Sequence, residues 1–168
     1  DRPALAASTR EGEEILILDA FAKRQRKDVL LLLVPRHPQR FNEIADLVEA
    51  RQFKLCRRSD GSLPEANTQI WLGDSMGEMP AYFTVADLAL MGGTLLPFGG
   101  QNLIEAAACE CPVFMGPHTF NFAQAAELAS QAGAAFVAPD LPQAVDQALA
   151  LVQSPPNLLQ ARNAARSL

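Results

Sequence analysis

Several common chemistries lack their residues in this chain. Only three of its 168 residues are cysteine, Cys56, Cys109 and Cys111, and an odd number builds no disulfide framework. Cys109 and Cys111 find no second pair and no nearby histidine to complete four zinc ligands, and there is no D-x-D type metal motif, so neither a metal nor a cofactor is expected. Apolar runs stop short of the ~20 residues a membrane-spanning helix needs. An excess of positive charge is missing too: the net charge is -5, which argues against broad affinity for nucleic acid or an anionic membrane. A local pocket of opposite sign remains open for a small anion. A G-x-G-x-x-G dinucleotide fingerprint is also absent, since only Gly12 follows the first apolar run. An initiator methionine is lacking as well. The chain starts at Asp1-Arg2-Pro3 beside an apparent strand, so a piece of a longer protein is expected, with any anchor in the remainder.

Apolar residues make up 49% and charged residues 20%, the balance of a globular chain read here as one domain, 1–168. Short apolar runs alternate with helical patterns. Strands are predicted at 4–8, 29–35, 53–57, 69–73, 87–92, 112–116 and 135–138. The run 29–35 is apolar throughout and stops at Pro35, as suits a strand buried on both faces. Helices are predicted over 11–26, 39–51, 77–84, 102–110, 121–132 and 141–152, with a last helical piece after Pro155-Pro156. In 39–51, Phe41, Ile44, Ala45 and Val48 fall on one helical face. Acids open 11–26 and bases close it, as the helix dipole favours. Such alternation predicts an α/β fold with a doubly wound, Rossmann-like parallel sheet, and ligands of this class bind beyond the carboxyl ends of the strands.

The segments just beyond the strands are therefore the candidate ligand contacts. Ser8 or Thr9 can cap the first helix, with Glu11 completing a box with Ser8. Arg36 and His37 stand between two prolines at the end of the second strand, and Arg36 can fork two hydrogen bonds to a phosphate or carboxylate. A solvated arginine is the plainer alternative. After the fourth strand, Asp74 or Ser75 can cap a helix entered at Gly77 or Glu78. Gly92-Gly93 come after the fifth strand and allow close approach to the backbone. Gly99-Gly100 then lead into QNLIEAAA. There Asn102 and Glu105 are spaced as a capping box; alternatively, Glu105 accepts from the two hydroxyls of a ribose. His118 is expected to make a loop hydrogen bond, and Asn121 can cap the next helix. Glycines, an arginine and helix starts recurring on one sheet edge describe a nucleotide-type anion site.

The motifs in order, ASTREGEE, LLLVPRHPQRF, GDSMGEM, ADLALMGGTL, GGQNLIEAAA and PVFMGPHTFNF, resemble the 3-deoxy-D-manno-octulosonic acid (Kdo) transferases of lipopolysaccharide synthesis. The likeness spans residues 2–122; PRHPQRF and GPHTFNF are its most specific parts. It implies the donor-binding, carboxyl-terminal half of a two-domain GT-B glycosyltransferase. The donor would be CMP-Kdo and the acceptor a lipid A precursor, at the cytoplasmic face of the bacterial inner membrane. Carried over by motif, Pro35, Arg36, Met76, Gly77, Glu78, Asn102, Leu103, Ile104 and Glu105 would contact the CMP part, with His37, Gly92 and Gly93 as further donor contacts. The catalytic base would be a glutamate of an amino-terminal acceptor domain, so no catalytic residue is assigned to this chain. Two positions depart from the family's G-G-H-N-P-L-E: Gln101 replaces histidine and Leu103 replaces proline. Arg10 also stands where many members have histidine. Two other readings stay open at this point: a GT-B enzyme using a UDP-sugar, and a nucleotide-binding module without chemistry.

Overall fold

The short apolar runs become parallel strands in the computed structural model, which describes residues 3–24, 26, 28–100 and 103–168. Seven strands are present among the described residues: β1 (Ala4–Thr9), β2 (Leu31–Pro35), β3 (Leu55–Arg57), β4 (Ile70–Leu72), β5 (Leu88–Met91), β6 (Val113–Met115) and β7 (Ala135–Val137). Between and after them run α1 (Glu13–Arg24), α2 (Phe41–Ala50), α3 (Met79–Val85), α4 (Ile104–Ala108), α5 (Ala123–Ala132), α6 (Leu141–Val152) and α7 (Pro155–Arg166). The sheet order is β3-β4-β2-β1-β5-β6-β7, and every pairing is parallel.

All five residues of β2 are buried, because helices cover both sheet faces. Side chains alternate between two apolar layers, as a strand's period of two requires. Leu31 and Leu33 join Ile17, Phe21, Ile44, Val48 and Leu149 of α1, α2 and α6. Leu32 and Val34 join Tyr82, Phe83, Ala106, Ala126 and Ala165 of α3, α4, α5 and α7. The doubly wound fold expected from the alternation is the one observed.

Differences gather at element ends. The Ser8–Glu11 box does not form: Ser8 is in the left-handed region (φ 54) and Glu11 is exposed. Instead the Glu13 carboxylate accepts from the Arg10 N–H at 2.8 Å. Asp74 and Ser75 do not cap α3 either, since its N-cap is Glu78 without a side-chain cap bond. Pro155 and Pro156 open α7 rather than preceding it, because proline's missing N–H costs nothing in a first helical turn.

Candidate functional site

The strand order reverses at β1, with β2 on one side and β5 on the other. Connections leave β1 and β5 toward opposite halves of the sheet, and in open sheets of this kind ligands bind beyond the carboxyl ends of the strands at such a switch point. The segments after β4 (73–78), β2 (36–40), β1 (10–12), β5 (92–100) and β6 (116–122) share that edge.

The glycine segment after β5 is fixed by internal bonds. A Cβ at Gly92 would stand 2.2 Å from the Ser8 carbonyl oxygen, so this glycine serves the contact of β5 with β1. Gly93 has φ 78, and its N–H points at both oxygens of Glu13, at 2.8 and 3.0 Å. The Leu95 and Leu96 N–H groups reach the same carboxylate, at 3.1 and 3.3 Å. The Thr94 hydroxyl donates to the Met91 carbonyl (2.6 Å) and accepts from the Gly116 N–H (2.9 Å), which joins this loop to the end of β6.

The turn after β2 is held just as closely. The Arg36 N–H donates to the Thr9 carbonyl at 2.9 Å. Pro38–Arg40 form a short 3-10 turn, and Arg40 forks onto the buried Glu14 carboxylate at 2.9 and 3.0 Å. The Thr9 hydroxyl donates to Glu14 at 2.8 Å. Across β4, Asp74 takes the Ser59 N–H (2.8 Å), the Ser59 hydroxyl (2.6 Å) and Arg57 Nε (2.7 Å). Burial alone would raise the Asp74 carboxyl, but Ser59 and Arg57 outweigh it and hold it below the usual carboxylate range. The Ser75 hydroxyl meets the Tyr82 hydroxyl.

Against this background two charged side chains stand out. Arg36 is exposed and has no carboxylate or ring partner among the described residues. Every other described arginine has one: eight lie within 4.0 Å of a carboxylate, and Arg10 rests over the Phe98 ring at 4.4 Å. Glu105 is exposed in the first turn of α4, and no described residue donates to its carboxylate. The helix begins at Ile104 with Leu103 as N-cap, so Glu105 is its second residue rather than the third a capping box requires. The expected cap, Asn102, and Gln101 lie outside the described residues.

The other expected site residues occupy the same sheet edge in different settings. Pro35 ends β2 buried, and His37 is half-buried before the 3-10 turn. Met76 and Gly77 are exposed; Glu78 pairs with Arg58 at 3.3 Å. The Ser75 hydrogen bond and then Arg58 hold the Glu78 carboxyl below its usual range. Gly92 and Gly93 are buried, with N–H groups committed to Ala7 and Glu13. Leu103 is buried, while Ile104 is 61% exposed. Residue pattern missed Glu13 and Glu14, which look like ordinary first-turn acids. Their signal was the spacing: each stands four residues before a core position, Ile17 and Leu18, on the face that buries.

No family model matches the chain. It is 47% identical over 173 residues to the 3-deoxy-D-manno-octulosonic acid transferase of Bordetella pertussis, covering 99% of this chain and 40% of that protein. It also superimposes, at TM-score 0.91 and 33% identity, on the crystal structure of the C-terminal CMP-Kdo binding domain of WaaA from Acinetobacter baumannii, covering 99% of this chain and 88% of that one. The chain belongs to the 3-deoxy-D-manno-octulosonic acid transferase family. It spans 40% of the length of its Bordetella relative. The fold is shared more widely among GT-B glycosyltransferases: a Thermobaculum terrenum O-GlcNAc transferase matches at TM-score 0.64 with 21% identity.

Proposed function

We propose that this chain is the donor-binding half of a glycosyltransferase that moves Kdo from CMP-Kdo to a lipid A precursor. The observation that carries the proposal is Arg36, a guanidinium with no carboxylate partner among the described residues, at the carboxyl end of β2, next to the switch point. Its fork matches a phosphate, and its charge offsets what develops on CMP as the bond to the sugar breaks. Glu105, whose carboxylate takes no hydrogen bond from a described residue, accepts from the ribose hydroxyls. Pro35, Met76, Gly77, Glu78, Asn102, Leu103 and Ile104 complete the nucleotide contacts by their place in the family's motifs. Of the further donor contacts, His37 can offer its side chain, whereas Gly92 and Gly93 act by shaping the loop.

The reaction is a single displacement. A base in an amino-terminal domain outside this chain takes the proton of the acceptor hydroxyl. The oxygen attacks the anomeric carbon, and the electron pair of the breaking bond leaves with CMP. This half binds and orients the donor and is inactive by itself. No helix among the described residues is long and apolar enough to cross a membrane. Contact with the cytoplasmic face of the inner membrane and with the lipid A precursor belongs to the rest of the protein.

Calorimetric titration of CMP against the 168-residue chain, with UDP as competitor, tests the proposal. Saturable binding that favours CMP is expected. A preference for UDP would reassign the donor, and a folded chain that ignores millimolar CMP would remove the site.

A further inference from the structure

Glu13 and Glu14 are adjacent, 0% and 1% exposed, and turned to different partners. Glu13 gathers four backbone N–H groups: Arg10 at the end of β1, and Gly93, Leu95 and Leu96 after β5. Glu14 gathers the Thr9 hydroxyl and the fork of Arg40, so it holds the far end of the turn whose near end is the Arg36 N–H on Thr9. One helix turn thus ties down both the glycine loop and the Arg36 turn. Burying two carboxylates side by side is expensive, and apolar residues of similar volume would often give a more stable core. Sequence-distant loops are what the pair gains: Glu13 acts across 80 residues and Glu14 across 26.

We infer that Glu13 and Glu14 are positioning residues for the donor site: Glu13 sets the glycine loop and Glu14 sets Arg36, each without touching the donor. The inference rests on the proposed donor role. A loop that is right for only a fraction of the time lowers apparent affinity by that fraction. If losing one clasp leaves about a tenth of the molecules correctly arranged, CMP affinity falls about tenfold.

The test uses the 168-residue chain, with Glu13→Gln and Glu14→Gln as near-isosteric variants. Glutamine's single carbonyl cannot serve every donor that the carboxylate serves. Amide hydrogen exchange and CMP titration are read on the same samples. Glu13→Gln is expected to speed exchange at Gly93, Leu95 and Leu96, leave the Arg36 amide protected, and weaken CMP about tenfold. Glu14→Gln should expose the Arg36 amide, spare the glycine loop, and weaken CMP similarly. Should either variant fail to fold, Glu13→Asp, which keeps the charge but shortens its reach, and Thr9→Val replace them with the same expectations. Exchange that rises with CMP affinity unchanged overturns the positioning role, and exchange that does not rise overturns the clasp. If the unaltered chain ignores CMP, the donor reading and the donor-positioning inference both fall. Protected amides in that case would leave only a structural clasp.

Discussion

Replacing Arg36 with alanine separates a binding arginine from a solvated one. Its side chain is exposed and makes no ion pair with a described residue, so folding stability should stay within about 0.5 kcal/mol. A guanidinium forked onto a phosphate is a charge-assisted pair, and its removal costs about 1.5–3 kcal/mol. That is a loss of about 10- to 150-fold in CMP affinity. Arg36→Lys keeps the charge but loses the fork, so its affinity should fall between alanine and the native residue. Arg51→Ala is the control: Arg51 pairs with Asp19 at 3.0 Å, beyond the carboxyl end of α2, and its loss should leave CMP binding unchanged. Calorimetry gives the affinities, and urea unfolding confirms that each variant is folded. A folded Arg36→Ala chain with native CMP affinity would refute the role given to Arg36, and an equal loss from Arg51→Ala would show the effect to be general charge.

The same geometry sets three further outcomes. If Glu105 accepts from the ribose diol, the native chain should prefer CMP to its 2′-deoxy analogue by about tenfold, within the range of a charged hydrogen bond, and Glu105→Ala should erase that preference in a titration of both nucleotides. Gly92→Ala drives a methyl group against the Ser8 carbonyl oxygen, 2.2 Å away, and should destabilise the fold by about 3 kcal/mol, read as a lowered urea midpoint. The depressed Asp74 carboxyl contributes stability that is full above its ordinary, unfolded value and is lost as pH falls through the lower folded value. Unfolding midpoints measured from pH 6 to pH 2.5 should therefore fall less steeply in Asp74→Asn than in the native chain.

Local pattern carried the fold a long way. The apolar run at 29–35 contains β2, and the spacing of Phe41, Ile44, Ala45 and Val48 lies within α2, because burial on a strand or a helix face writes its own period into the chain. The ends were less legible. Asp74 is spaced to cap a helix, yet it binds Ser59 and Arg57, partners that only the pairing of β3 with β4 brings near. Glu13 and Glu14 failed for the same reason. Their acidic character in a first turn has a sufficient local explanation in the helix dipole, which hides the distant loops they bind.

The glycine stretch after β5 shows how the two levels meet. Four glycines in nine residues invite the idea of a backbone bared for a ligand. Gly92 is instead required by β1, and the Gly93 N–H is taken by Glu13. The loop's amides hold the loop, and the charges of the proposed donor site come from Arg36 and Glu105 instead. An anion site built this way depends less on bared backbone than on a loop that cannot move. Hence a buried carboxylate that never meets the donor should affect its affinity as much as a residue that does.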